Sequence, residues 1–264
     1  MLLEGKTAVL TGAAGGMGTL MAKALAARGV RLVLVDINET RLQALEQQLG
    51  DRHVSVVADL TVAEGRAELL RVCRELRSID VLINAAGISD YALLDRQTAA
   101  RIQLMTTVNL VVPMLLCQDL VALLQRSPES AIVNLGSTFG GIGHPGFAVY
   151  CASKFGLRGF TESLRRELAD TSIRVFYLAP RATQTDMNSA AVVSLNRELG
   201  NAMDKPELVV DYLLHLLTDK QGGDYFMGWP ERLFVRINAL LPKIVDGAIA
   251  KQLATIKRFA TQAP

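Results

Sequence analysis

The chain has 264 residues, half of them hydrophobic and a fifth charged, with a formal net charge of +2. That length suits one substantial core, and the apolar content excludes a disordered chain. The near balance of charge argues against nucleic acid or an anionic membrane as a general partner.

From the N-terminus, MLLEGKTAVLTG runs directly into a strand pattern with no basic segment ahead of an apolar stretch, so no signal peptide is expected. Short β-rich runs then alternate with segments of helical period. Strands are predicted at Thr7–Thr11, Arg31–Asp36, His53–Asp59, Ile79–Gly87, Ser130–Ser137 and Ile173–Pro180. A long helical stretch through Arg126 follows the fourth, and a helix over Ala148–Ala169 follows the fifth. No apolar run is long enough to span a bilayer. The nearest, Val108–Leu124, is interrupted by Asn109, Pro113, Gln118 and Asp119 and reads as a buried or subunit-facing helix. The sparse cysteines Cys73, Cys117 and Cys151 lack metal-ligand spacing and suggest free thiols in a reducing, cytoplasmic compartment; no metal site is expected.

Continuous apolar strands alternating with amphipathic helices predict an α/β fold: one Rossmann-type, doubly wound parallel sheet with helices on both faces. Such sheets bind ligands at the carboxyl ends of their strands. After the first strand, TGAAGGMG (Thr11–Gly18) sets Gly12, Gly16, Met17 and Gly18 between strand and helix. Glycines let backbone N–H groups approach a phosphate, and the helix N-terminus adds partial positive charge. Asp36, ending the second strand, suits ribose hydroxyls and repels a 2′-phosphate, which favours NAD(H) over NADP(H); its alternative is a helix cap before NETR. In YCASK, Tyr150 and Lys154 lie four apart and share a helix face. The ammonium there is expected to lower the tyrosine pKa and make it a proton donor and acceptor.

TGAAGGMG, then NAAG (Asn84–Gly87), then Ser137 thirteen residues before Tyr150 resemble the classical short-chain dehydrogenase/reductase family, over about Lys6 to Asp186. The resemblance implies an oxidoreductase that interconverts a secondary alcohol and a ketone. It assigns Tyr150 as general acid/base, Lys154 to lower its pKa and meet the nicotinamide ribose, Ser137 to hold the substrate oxygen, and Asn109 to anchor a water in a relay to Lys154. Asp59 would meet the adenine with the Leu60 backbone beside it, Asn84 and Gly87 would shape the wall by the adenine ribose, and Thr185 would meet the carboxamide. The plainer alternatives for Asn109 and Ser137 are a polar helix residue and a turn cap. The resemblance also implies a homodimer through Val108–Leu124 and the YCASK helix.

Two stretches depart from that pattern. Arg181 follows Pro180 where the family usually has glycine, and reads either as an anion contact or as a solvent-facing side chain. Beyond 1–228, residues 229–264 form an amphipathic extension of the same domain, with Pro242 dividing two helices. This tail either caps the substrate cleft or a subunit contact, or lies peripherally on a membrane surface. The stretch from Met187 to Asn201 is the expected substrate lid. The substrate is expected to be hydrophobic, acyl or lipid-like. Rival functions are an NADP-dependent 3-oxoacyl reductase and an NAD(H)-binding regulator without turnover.

Overall fold

The computed structural model describes residues 1–76, 78–185 and 187–262; Asp186, the expected end of the family-like stretch, lies outside them. Its centre is a seven-stranded sheet of order β3-β2-β1-β4-β5-β6-β7, in which every strand pair is parallel. The strands are β1 (Thr7–Thr11), β2 (Arg31–Asp36), β3 (Val54–Val57), β4 (Val81–Asn84), β5 (Ser130–Leu135), β6 (Ile173–Ala179) and β7 (Gly223–Phe226). The order reverses between β1 and β4. There the connections leave in opposite directions and open a crevice at the carboxyl ends.

Alternation along the strands feeds two cores. Ala8 and Leu10 of β1 face a layer built by α1 (Gly16–Ala26), α2 (Glu39–Leu49) and α8 (Pro206–Asp219), where Met21, Leu25, Leu42 and Leu213 are fully buried. Val9 faces the opposite layer of α3 (Ala63–Glu75), α5 (Val112–Leu124) and α6 (Ala148–Glu167), with Leu69, Cys73, Leu116 and Leu120 in its core. A sheet covered on both faces must have such apolar strands.

The predicted long helix is α4 (Ala99–Thr106) and α5 joined by a π-helical turn at Thr107–Val111. Counted from Ala99 to Leu124, the run is long and apolar enough to cross a membrane by length and composition, a length that the interruptions after Val108 had disguised. Its α5 portion packs Val112, Leu116, Leu120 and Leu124 into the core, as expected of a buried helix. The lid stretch contains α7 (Ala190–Glu198), and the tail forms α9 (Glu231–Leu240) and α10 (Pro242–Gln262), divided at Pro242 as predicted.

Candidate active site

The glycine loop closes against β4. Gly12 has φ +66°, and a Cβ there would stand 2.8 Å from the Ala86 Cα, so both conformation and space demand glycine. At Gly18 a Cβ would strike the Gly12 carbonyl. Gly16 differs, since a Cβ there would have the Thr185 side chain as its nearest neighbour at 3.6 Å, which sets Thr185 at the mouth of the loop. The N-terminal turn of α1 carries no side-chain cap and no acidic residue. It is therefore suited to receive an anion. Asp36 is not the α2 cap, because Asn38 accepts the Arg41 N–H in that role. Its Oδ2 accepts the Ala14 N–H at 2.9 Å, which sets the carboxylate beside the glycine loop. Asp59 accepts both the N–H and the hydroxyl of Thr61 through Oδ1, and Leu60 is buried beside it. A glycine cradle, an uncapped helix and a carboxylate at the end of β2 fit a dinucleotide.

Ser137, Tyr150 and Lys154 line one cavity of about 650 Å³ with Met17, Gly87 and Thr185. Gly87 leaves room where a Cβ would lie 3.3 Å from Asn109 Oδ1 and 3.7 Å from Lys154 Nζ. Lys154 is buried, donates to the Leu135 carbonyl at 2.9 Å and stands 5.7 Å from the centre of the Tyr150 ring. Burial pushes the Tyr150 hydroxyl up to about 12, opposed by its hydrogen bond with Ser137. Burial also brings Lys154 down to about 8. The expected depression of the tyrosine pKa by Lys154 is not seen, and desolvation sets the direction of the shift.

Two expected residues have other side-chain partners. Asn84 is turned into the interior, where its Nδ2 donates to Asn134 Oδ1 at 2.8 Å and Asn134 Nδ2 donates to Thr161 Oγ1 at 2.8 Å. Strand alternation sets Asn84 on the face of Leu82, above α5 and α6, so its side chain registers α6 against the sheet and does not form the cleft wall. The fully buried Asn109 donates to the Ile88 carbonyl and Ser153 Oγ at 2.9 and 3.1 Å, and its Oδ1 accepts the Ile88 N–H at 2.9 Å. Its amide is committed to clamping the segment after β4 onto α6.

Tyr177 was not anticipated from sequence. Its hydroxyl accepts the Ser137 N–H at 3.2 Å and lies 3.2 and 3.3 Å from the carbonyls of Ser137 and Lys154. It thereby ties the loop after β5 to α6 from below. A Cβ at Gly136 or Gly140 would collide with its ring or hydroxyl. Those flanking glycines were the available sequence signal.

The lid and tail complete the cavity through Asn188, Val192, Leu195, Phe234, Val245 and Ile249. The α9 helix sits directly on the loop after β5, where Asn238 donates to the Gly141 carbonyl at 2.9 Å. In α10, the Ile256 carbonyl accepts the Tyr91 hydroxyl at 2.7 Å. The tail therefore caps the cleft, and its packing gives no support to a membrane-lying tail; Leu240, Leu241 and Ile244 at its elbow remain exposed. Arg181 faces neither solvent nor a free anion site. It makes a bidentate pair with Asp204 at 2.7 and 2.8 Å and reaches Glu231 at 3.3 Å.

Residues 6–194 match the family model described as short chain dehydrogenase. A 3-oxoacyl-(acyl-carrier-protein) reductase FabG of Vibrio cholerae is 34% identical over 191 residues, covering 72% of this chain and 78% of that protein. Carbonyl reductase family member 4 of Danio rerio is 37% identical over 186 residues, covering 70% and 78%. Among solved structures, a 3-ketoacyl-(acyl-carrier-protein) reductase from Brucella melitensis complexed with NADH superposes with a TM-score of 0.77 at 26% identity, covering 85% of this chain and 96% of that one. The sequence motifs, the parallel sheet and these matches agree: the chain belongs to the short-chain dehydrogenase/reductase family and is an oxidoreductase of the alcohol–ketone couple that works with a nicotinamide cofactor.

Proposed function

We propose that this enzyme interconverts an apolar secondary alcohol and its ketone with NAD(H), using Tyr150 as the proton donor and acceptor. The observation that carries the reading is the convergence of Ser137, Tyr150 and Lys154 on one cavity beside the glycine loop. When bound, the nicotinamide supplies or accepts the hydride. Ser137 Oγ accepts the Phe139 N–H at 3.1 Å, which leaves its own proton for the substrate oxygen. With its pKa at about 12, Tyr150 is a protonated phenol near neutral pH and is competent to give its proton to a carbonyl. The nearby ammonium of Lys154 stabilises the phenolate left behind. A relay role for Asn109 falls to its main chain, because Pro113 has no N–H to offer the Asn109 carbonyl in an α-helical bond.

Asp36 beside the glycine loop supports NAD(H). The apolar lid and tail support a hydrophobic substrate, acyl or lipid-like. Names of similar proteins favour a second reading, a 3-oxoacyl reductase; turnover of a 3-oxoacyl thioester against simple long-chain ketones, each with NADH and NADPH, separates the two. Exposed Leu104, Val111 and Met114 near the π turn and Phe155 on α6 support a homodimer through those helices. Three buried free thiols support a reducing, cytoplasmic setting. Tyr150→Phe is expected to abolish turnover in both directions while NADH still binds, read by fluorescence titration. Unchanged turnover would remove the catalytic assignment, and a binder without turnover in the native enzyme would restore the regulator reading.

A further inference from the structure

Several polar side chains of the cavity are already engaged with the protein. Arg181 is held by two carboxylates, and Lys154 donates to Leu135. Asn188 and Asn196 give their amide protons to the carbonyls of Thr183 and Val192. His144 is different. It lies between β5 and α6 and lines the cavity. Its ring stacks on Phe139 at 5.1 Å and 24°, with the edge of Phe147 at 5.9 Å. Its Nδ1 is 2.8 Å from the Pro145 carbonyl. A carbonyl only accepts, so Nδ1 must carry the proton and Nε2 is left with a lone pair. Phe139 touches both this imidazole and Tyr150, whose ring centre is 6.4 Å from its own.

We infer that His144 is a second substrate anchor, a fixed hydrogen-bond acceptor that selects a ketone bearing a neutral donor, a hydroxyl or an amide N–H, where its chain passes Phe139. This rests on the reductase reading given above. Three constraints support it. The tautomer is set by the backbone, the orientation is set by stacking, and the rings of Phe139 and Phe147 flank the imidazole. Burial lowers the His144 pKa, which keeps the ring neutral and an acceptor near pH 7. A site built to meet a substrate donor rejects the analogue that lacks it, because its own polar group is then left unpaired. An apolar wall would not discriminate in that direction.

The test uses the full-length enzyme and matched ketones in which one chain position carries a methylene, a hydroxyl or an N-alkyl amide, with the position varied along the chain. At the matching position, the wild type is expected to favour the donor-bearing ketone in kcat/KM by roughly 10- to 100-fold, the range of a buried hydrogen bond left unmade. His144→Phe keeps the stacked ring and is expected to erase that preference while leaving the methylene ketone within about twofold, a split that a general folding defect would not produce. His144→Gln, whose amide oxygen reaches the Nε2 position, is expected to restore part of it. A preference confined to the hydroxyl series assigns a hydroxyl donor, and one confined to the amide series assigns an N–H. Turnover of methylene ketones with no donor preference at any position overturns the anchor and spares the reductase reading, as does an equal loss on all three series in His144→Phe. No turnover of any ketone overturns both.

Discussion

Lys154 is a buried cation whose folded-state pKa falls from 10.5 to about 8, with burial as the cause. For a base, a depressed folded pKa is a cost of folding. It is present in full below about pH 8, where both states are protonated, and is relieved as the pH rises toward the unfolded value of 10.5. At ~1.4 kcal/mol per unit, that cost is roughly 3 kcal/mol. Lys154→Met removes it, together with the 2.9 Å bond to the Leu135 carbonyl. That bond is worth about 1 kcal/mol. The variant should thus lose turnover yet gain roughly 2 kcal/mol at pH 7, a rise of about 5 °C in Tm for a chain of this size. Paired urea titrations from pH 7 to 10.5 measure the difference between variant and wild type, in which the titration of Tyr150 and other shared groups largely cancels. The gain should hold up to about pH 8 and shrink from there toward pH 10.5. A variant no more stable at pH 7, or a difference flat in pH, would refute the claim that desolvation governs Lys154.

Arg181→Gly leaves Asp204 and Glu231 without their cation and should free α9 from the segments after β6 and before α8; KM for long ketones should rise by roughly tenfold while kcat on a short ketone changes little, and limited proteolysis should cut the tail sooner. An unchanged cleavage pattern and unchanged KM would show that the pair is incidental. Asp36→Ala should raise the NADPH-to-NADH ratio of kcat/KM by at least about tenfold, because the carboxylate that repels a 2′-phosphate is gone. A ratio that stays put would move cofactor choice elsewhere.

The sheet was legible because its signals are local. Arg31–Asp36 is an apolar run closed by a carboxylate, and β2 has those bounds. The Tyr150–Lys154 pair was legible for the same reason, since its members lie about one helical turn apart, and the glycine loop was legible as one contiguous run between β1 and α1. Asn84 shows where a motif runs out: its position names a neighbourhood, whereas side-chain direction follows from the register of β4, on which Asn84 pairs with Asn134 of β5. Counting alternation from Leu82 would have turned it inward. Tyr177 and Thr161 act through Ser137, Lys154 and Asn134, at separations of 23 to 40 residues that no local pattern reports.

The tail was half legible. Its period and Pro242 set the two helices, but an apolar helix face reads the same whether it meets a membrane or a cleft. Long-range bonds fasten the tail over the cleft, from Tyr91 to Ile256 and from Arg181 to Glu231. The second of these joins two departures that the sequence presents separately. An arginine in place of the expected glycine, in a partly buried position, needs carboxylates to offset its desolvation. Asp204 supplies one from before α8, and Glu231 supplies another from the first turn of α9, where a negative charge also suits the helix N-terminus. A helical extension lying over the cleft in turn needs a fixed point near its start, or its first turn would drift from the loop after β5 that Val235 and Asn238 touch. The arginine and the extension each meet the other's requirement. The substitution after β6 and the added helices are therefore one device for closing this cavity, and a change in either should be felt through the other.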